Sequence, residues 1–293
     1  RFQLSIANAL WGQEGWSFIP EYLDLLAVNY GAGMRLVDFE NASESARRQI
    51  NAWISDQTNR RIKDIIPPGM IDNSTRLVLA NAIYFKATWE YEFDANDTAD
   101  KPFHLRNGDP VSVPMMEIGH QENLSYAAGD GWQAIALPYK GGLTEMVVIV
   151  PDAGNFEAFE SALTAERNAE ILAVMESQEV ILSMPKFTFE TQYGLKDFLA
   201  GMGMQAAFNP DAADFSGIDG LRDLVISDAI HKAFIAVDEK GTEAAAATVV
   251  VFMTTGALMP EGVVLTIDRP FFYVIRDIPS GTILFMGRVV DPR

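Results

Sequence analysis

The chain has 293 residues, 48% of them hydrophobic and 21% charged, enough apolar material for a large buried core. A formal net charge of −18 opposes nucleic-acid binding, because phosphates would be repelled. No stretch reaches the roughly 18 consecutive apolar residues of a membrane helix, and the absence of cysteine removes disulfides and thiol chemistry.

In chain order, Arg1 to Trp11 reads as a strand. Asn41 followed by Glu44 has capping-box spacing, and Ile50, Trp53 and Ile54 form the buried stripe of the helix after it. Leu77 to Phe85 is almost continuously apolar, as for a strand covered on both faces. Glu145 to Val150 is a strand stopped by Pro151, and Phe156, Phe159 and Leu163 suit a short helix. Val180 to Phe189 reads as one long strand, and Leu195, Phe198 and Leu199 as a helix ended by Gly201. Ile230 to Val237 is a strand that hands the chain to a loop. Val263 to Ile267, Phe271 to Ile275 and Thr282 to Val289 are closing strands. No repeat, linker or charge run marks a boundary, so a single domain over 1–293 is expected. Strands and helices without a regular βα rhythm indicate the α+β class.

The stretch from Asp238 to Phe252 (DEKGTEAAAATVVVF) is the most informative. After Gly241 it lacks the Gly, Pro, Asn, Asp and Ser of ordinary loops. Four alanines, Ala244, Ala245, Ala246 and Ala247, run into β-branched residues. A period of two puts Thr242, Ala244, Ala246, Thr248 and Val250 on one face, small enough to slide beneath a sheet, and Glu243, Ala245, Ala247 and Val249 on the other. By propensity alone an Ala-rich helix is equally consistent.

Several segments then resemble, in order, those of the serpin family of serine protease inhibitors. Asn81 to Glu90 (NAIYFKATWE) is similar to the family's central strand, followed by Phe103 and Val113 to Met116 (VPMM). Leu137 to Lys140 (LPYK), Met184 to Phe189 (MPKFTF), Ile230 to Glu243, Asp268 to Phe272 (DRPFF) and Phe285 to Arg288 (FMGR) complete the match. Each motif is weak alone, but their number and order are specific. The resemblance implies a large central mixed β-sheet, two smaller sheets, surrounding helices and an exposed reactive-centre loop over about 239–262. It also implies that the family's N-terminal helices and one strand are missing from the sequence given, which opens at Arg1 with nothing that reads as a secretory signal.

By that resemblance the chain is a suicide substrate. A protease cuts the loop between Thr255 and Gly256, to within a residue, and the freed segment inserts as a new central strand that carries the protease with it. The hinge is Glu239, Gly241, Thr242, Glu243 and Ala244 to Ala247. Trp89 and Lys186 lie where the loop enters, Lys186 pairing with Glu239, and Asn81 and His231 form a polar clasp where the central strands part. Taken alone, His231 reads as a core histidine bonded to a backbone carbonyl, and Lys186 and Glu239 as solvated charges. The alternative function is a non-inhibitory member of the fold: a carrier, chaperone or storage protein. A hinge of small residues favours inhibition.

Other chemistry finds little support. Three histidines, His104, His120 and His231, and no Gly-x-Ser-x-Gly elbow leave a hydrolase triad without parts. Gly201 to Ala206 (GMGMQA) fits a dinucleotide pattern but follows a helix, where the phosphate cradle would be misplaced. No enzyme, cofactor or metal is expected, and the chain is expected to be a monomer. With no Lys or Arg near the bond, the expected partners are elastase-like, subtilisin-like or chymotrypsin-like serine proteases. An extracellular location is favoured over a cytoplasmic one, with sequons at Asn41, Asn73, Asn96 and Asn123 relevant only to a secretory route.

Overall fold

The computed structural model describes all residues except 1, 31–32, 227–228 and 243–261. In chain order the first elements are β1 (Gln3–Gln13), α1 (Pro20–Tyr30), β2 (Arg35–Val37), α2 (Phe39–Gln57), β3 (Leu77–Thr88), β4 (Ala99–His104) and β5 (Pro110–Gly129). Next come β6 (Trp132–Pro138), β7 (Thr144–Pro151), α3 (Phe156–Ala162), α4 (Ala165–Ala173), β8 (Glu176–Pro185), β9 (Phe187–Gly194) and α5 (Lys196–Leu199). The last are α6 (Ser216–Asp219), β10 (Ile230–Asp238), β11 (Gly241–Thr242), β12 (Val263–Thr266), β13 (Phe271–Asp277) and β14 (Ile283–Val289). The mixture of helices with two sheets is α+β, as the sequence pattern required.

The chain forms two compact units, each assembled from separated stretches. One comprises Leu4–Tyr84 and Phe189–Phe234. In it β1 pairs in parallel with β2, and β3 in parallel with β10 from Ala80↔Ile230 to Tyr84↔Phe234. Helix α2 supplies this unit's core. Ile50 and Ile54 are fully buried in one cluster with Ala7, Trp11, Ala80 and Ala82, and Trp53 meets Trp11 edge-on at 5.8 Å. The loop after α2 is pinned by polar groups: Arg47 and Asn51 both donate to the Ile66 carbonyl, at 2.8 and 2.9 Å.

The start of α2 differs from the capping-box reading. Asp38 is the N-cap and accepts from the Asn41 N–H at 3.0 Å, while Ala42 is non-helical (φ −140°, ψ 39°). Glu44 turns forward to Arg47, at 2.8 Å, and does not cap. An Asp three residues earlier competes for the same orphan N–H, and a carboxylate is favoured there by the helix dipole.

The second unit comprises 1–3, Phe85–Thr188 and Ile235–Arg293. It holds an eight-stranded sheet of order β12-β8-β5-β6-β7-β13-β14, with β4 on β5. Strands expected in separate smaller sheets share one hydrogen-bonded path. The reason is β5, 20 residues long, which stays paired with β8 through register shifts at Ile118/Gln121 and Gln121/Leu124. Strand β7 is buried along its length, and α3 packs Phe156 flat on Phe272 at 4.7 Å.

Two further readings change. The long strand of 180–189 is two strands, β8 and β9, in different sheets. Pro185 has no N–H to continue the ladder, and the Lys186 N–H goes to Pro114 O at 3.0 Å. The helix after Leu195 does not stop at Gly201. It widens into a π turn over Ala200–Met204, where Gly203 (φ 108°) supplies the left-handed residue.

Candidate functional site

The sequence places its hinge after β10, and the described part of it, Glu239 to Thr242, is built into the sheet. Strand β11 is two residues long. Thr242 pairs antiparallel with Val237 on one side and Ala87 on the other, so it lies between β10 and β3. Gly241 faces Thr88, with φ 154° and so little room that a Cβ there would stand 2.0 Å from the Ala87 carbonyl oxygen. Only glycine meets both conditions. Glu243, Ala244, Ala245, Ala246, Ala247, Thr255 and Gly256 lie outside the described residues.

The turn that feeds Gly241 into this position has its backbone groups matched. Asp238 Oδ1 accepts from the N–H of Lys240 at 2.9 Å and of Gly241 at 3.2 Å. The carbonyls of Asp238, Glu239 and Lys240 accept from Trp89 Nε1 (2.9 Å), Phe93 N (2.8 Å) and Trp89 N (2.8 Å). Trp89, 1% exposed, thus grips the turn with both ring and backbone. Burial raises the Asp238 carboxyl above the usual carboxylate range, opposed by those two N–H donors, with the Glu239 charge beside it raising it further.

Lys186 and Glu239 are brought together, as the resemblance implied, but not as a solvated pair. Their charged atoms are 2.8 Å apart, and the Glu239 side chain is only 11% exposed. Thr98 Oγ1 donates to the same carboxylate at 2.8 Å. Burial pushes the Glu239 carboxyl up, but its hydrogen bonds to Lys186, to backbone and to Thr98 outweigh that and leave it below its ordinary value. Its ionised form therefore persists to a lower pH than that of a free glutamate.

Asn81 and His231 also meet, in the other unit, as register partners of β3 and β10. His231 Nδ1 donates to Asn81 Oδ1 at 2.8 Å, so the partner is a side chain and not the backbone carbonyl of a plain core histidine. The ring is partly exposed, and burial lowers its pKa from the model-peptide 6.5. Asn81 passes its amide on to Asn8 Oδ1 of β1, so the clasp joins three strands.

Tyr139 belongs to this site and was not singled out from the sequence beyond its place in the LPYK segment. Its hydroxyl is 2.5 Å from Thr242 Oγ1, and the residue is fully buried. Its ring stacks on Trp89 at 4.6 Å and 8°, and Phe85 meets its edge at 5.2 Å. Burial drives the phenol pKa far up, so it stays a neutral donor. A Tyr at a strand end two residues before the turn glycines Gly141 and Gly142 was the available signal, but nothing in sequence ties it to residue 242. Thr98, Asn8 and Asp238 were missed for the same reason.

Among the described residues no cluster of His, Asp and Glu could hold a metal ion, and no helix is long and apolar enough to cross a membrane. His104 faces Asp268 at 3.8 Å and touches none of the residues above.

Known proteins resemble this chain along nearly its whole length. The family model "Serpin (serine protease inhibitor)" matches residues 1–292. An uncharacterized serpin-like protein of Thermococcus kodakarensis is 44% identical over 295 residues, covering 100% of this chain and 67% of that protein. The leukocyte elastase inhibitor of Homo sapiens is 40% identical over 296 residues, covering 99% of this chain and 78% of the relative. Uncleaved ovalbumin superposes with a TM-score of 0.86 at 31% identity, over 99% of this chain and 74% of that one. Serpin48 of Tenebrio molitor gives 0.85 at 31% identity, over 99% and 76%. Protease inhibition is the activity such a kinship supports, and the chain belongs to the serpin family of serine protease inhibitors.

Proposed function

We propose that this chain inhibits serine proteases as a suicide substrate, inserting its cleaved loop as a strand between β3 and β10. The observation that carries the reading is the seating of Gly241 and Thr242 between those strands. The sheet accepts Gly241 and Thr242 in antiparallel register, and the residues that followed would replace the pairing of Ala80–Tyr84 with Ile230–Phe234 by hydrogen bonds to both strands. At about 1 kcal/mol net per bond, a dozen or so residues would release on the order of 10 kcal/mol, comparable to the whole stability of a domain at about 5–15 kcal/mol. That is enough to deform a protease still acylated to the loop. The bond attacked is Thr255–Gly256. The small uncharged Thr255 fits elastase-like or subtilisin-like pockets, a chymotrypsin-like protease would need the register shifted to Met253, Leu258 or Met259, and the elastase inhibitors among the relatives support the first.

The experiment is to mix the chain with a panel of such proteases and look for a complex that survives SDS, then map the released C-terminal peptide by mass spectrometry. A covalent complex and a new N-terminus at or beside Gly256 are expected. Cleavage without any complex would favour the non-inhibitory reading. Thr242→Arg sharpens the test. It would bury an unpaired charge beside Tyr139, so the loop should still be cut at Thr255 while the stable complex is lost. Trapping at unchanged stoichiometry would count against insertion at this position.

A further inference from the structure

Thr242 is buried at 1% exposure, and among the described residues its hydroxyl has one partner, the Tyr139 phenol at 2.5 Å. Tyr139 cannot swing to follow a moving loop. Its ring is clamped between Trp89 and Phe85, its N–H is bonded to Thr144 O at 3.0 Å, and its backbone bridges to Trp89. A fixed hydroxyl in an apolar surround is therefore presented at one point between β3 and β10. The residue that reaches it must bring a hydrogen-bonding group, because an unpaired buried hydroxyl is strongly unfavourable, and among small side chains that fit beneath the sheet a hydroxyl meets the need.

The position of this bond also has a consequence for register. A strand's side chains alternate, so a slip of one residue puts every side chain on the wrong face. Backbone pairing alone does not prevent such a slip, since any residue offers the same N–H and C=O. The Gly241 position blocks a Cβ, and the Tyr139 position asks for a hydroxyl. Adjacent Gly and Thr satisfy both in one register only.

We propose that Tyr139 is the positioning residue for loop insertion: its phenol seats Thr242 and thereby fixes the register in which the strand begins to form. This rests on the loop-insertion reading above. The hinge of the uncleaved chain waits with its first side chain already placed, and the Asp238 turn, Trp89 and the Lys186–Glu239 pair hold the backbone behind it.

The test is a double-mutant cycle on Tyr139→Phe and Thr242→Val, both nearly isosteric, read by hydrogen–deuterium exchange of the peptide spanning 235–242. Each single variant leaves one buried hydroxyl unpaired, and should shift the balance from seated toward released by about tenfold, seen as faster exchange. The double variant removes both hydroxyls and should return exchange close to the parent. Thr242→Ser should keep the parent's protection. Plain packing roles predict additive losses and no rescue, so additivity, or singles that match the parent, would overturn the seat. The stoichiometry of inhibition with a trapped protease reads the functional half, and should rise in each single variant and recover in the double. Coupled exchange with unchanged stoichiometry would overturn the positioning role. If the parent traps no protease at all, the inhibitor reading fails, while the exchange cycle still decides whether Tyr139 seats Thr242.

Discussion

At Gly241 the physical demands are unusually sharp. A methyl group there would collide with the Ala87 carbonyl, and φ 154° is unfavourable for any other residue. Gly241→Ala should therefore expel β11 from its place, destabilising the chain by about 1–3 kcal/mol, and the melting temperature measured by calorimetry should fall. An unchanged melt would mean that the hinge can be displaced without loss. His231 gives a different readout. Burial holds its folded pKa below the unfolded value near 6.5, so the unfolded chain takes up the proton more readily. Stability is then full above that value and is lost as the pH falls through the lower folded pKa. Asn8 and Asn81, its neighbours in the clasp, do not titrate and add no opposing slope. Urea melts between pH 7.5 and 5.5 should show the decline, and His231→Gln should flatten it. Both residues could be named from sequence. Asn81 could be named beside His231 through the resemblance, but the Ala87 carbonyl against Gly241 could not, because it is a feature of a backbone that approaches from another strand.

At the scale of elements, α2 shows how far periodicity reaches. Ile50 and Ile54 were legible as its inner face because apolar residues at helical spacing must be covered, and both are fully buried. Ile50→Ala leaves a cavity in a packed cluster and should cost about 2–5 kcal/mol, lowering the melting temperature by about 5–15 °C. Thermal denaturation followed by circular dichroism would measure this, and a shift within a degree or two would place Ile50 outside the core. The helix start was misread because Asn41 and Glu44 satisfy the capping-box spacing, whereas the residue that caps is Asp38, which accepts the Asn41 N–H without a Glu or Gln three residues on. The break between β8 and β9 was missed for a related reason. Val180 to Phe189 has the right residues for one strand, and only the partners of Lys186 show that the chain changes sheets there.

For the molecule as a whole, the central expectation concerns metastability. If the loop adds a strand after cleavage, a chain nicked in the loop by a non-target protease should melt well above the intact one, by the strand's worth of hydrogen bonds and burial. Calorimetry of intact and nicked protein decides it, and a nicked form that melts at or below the intact form would contradict insertion. The sequence by itself determined the α+β class, through apolar periodicity, and the family, through motifs whose order along the chain is informative. The pairs Lys186–Glu239 and Asn81–His231 were legible only through that resemblance, and the structure brings both together. Only the tertiary structure decided that Gly241 and Thr242 already lie between β3 and β10, that Glu239 is buried with Thr98 as a further partner, and that Tyr139 faces Thr242. The reason is separation. Tyr139 and Thr242 stand 103 residues apart, and Thr98 and Glu239 141. A local pattern records what a residue's neighbours along the chain require, but not which distant hydroxyl or carbonyl the fold will bring to it.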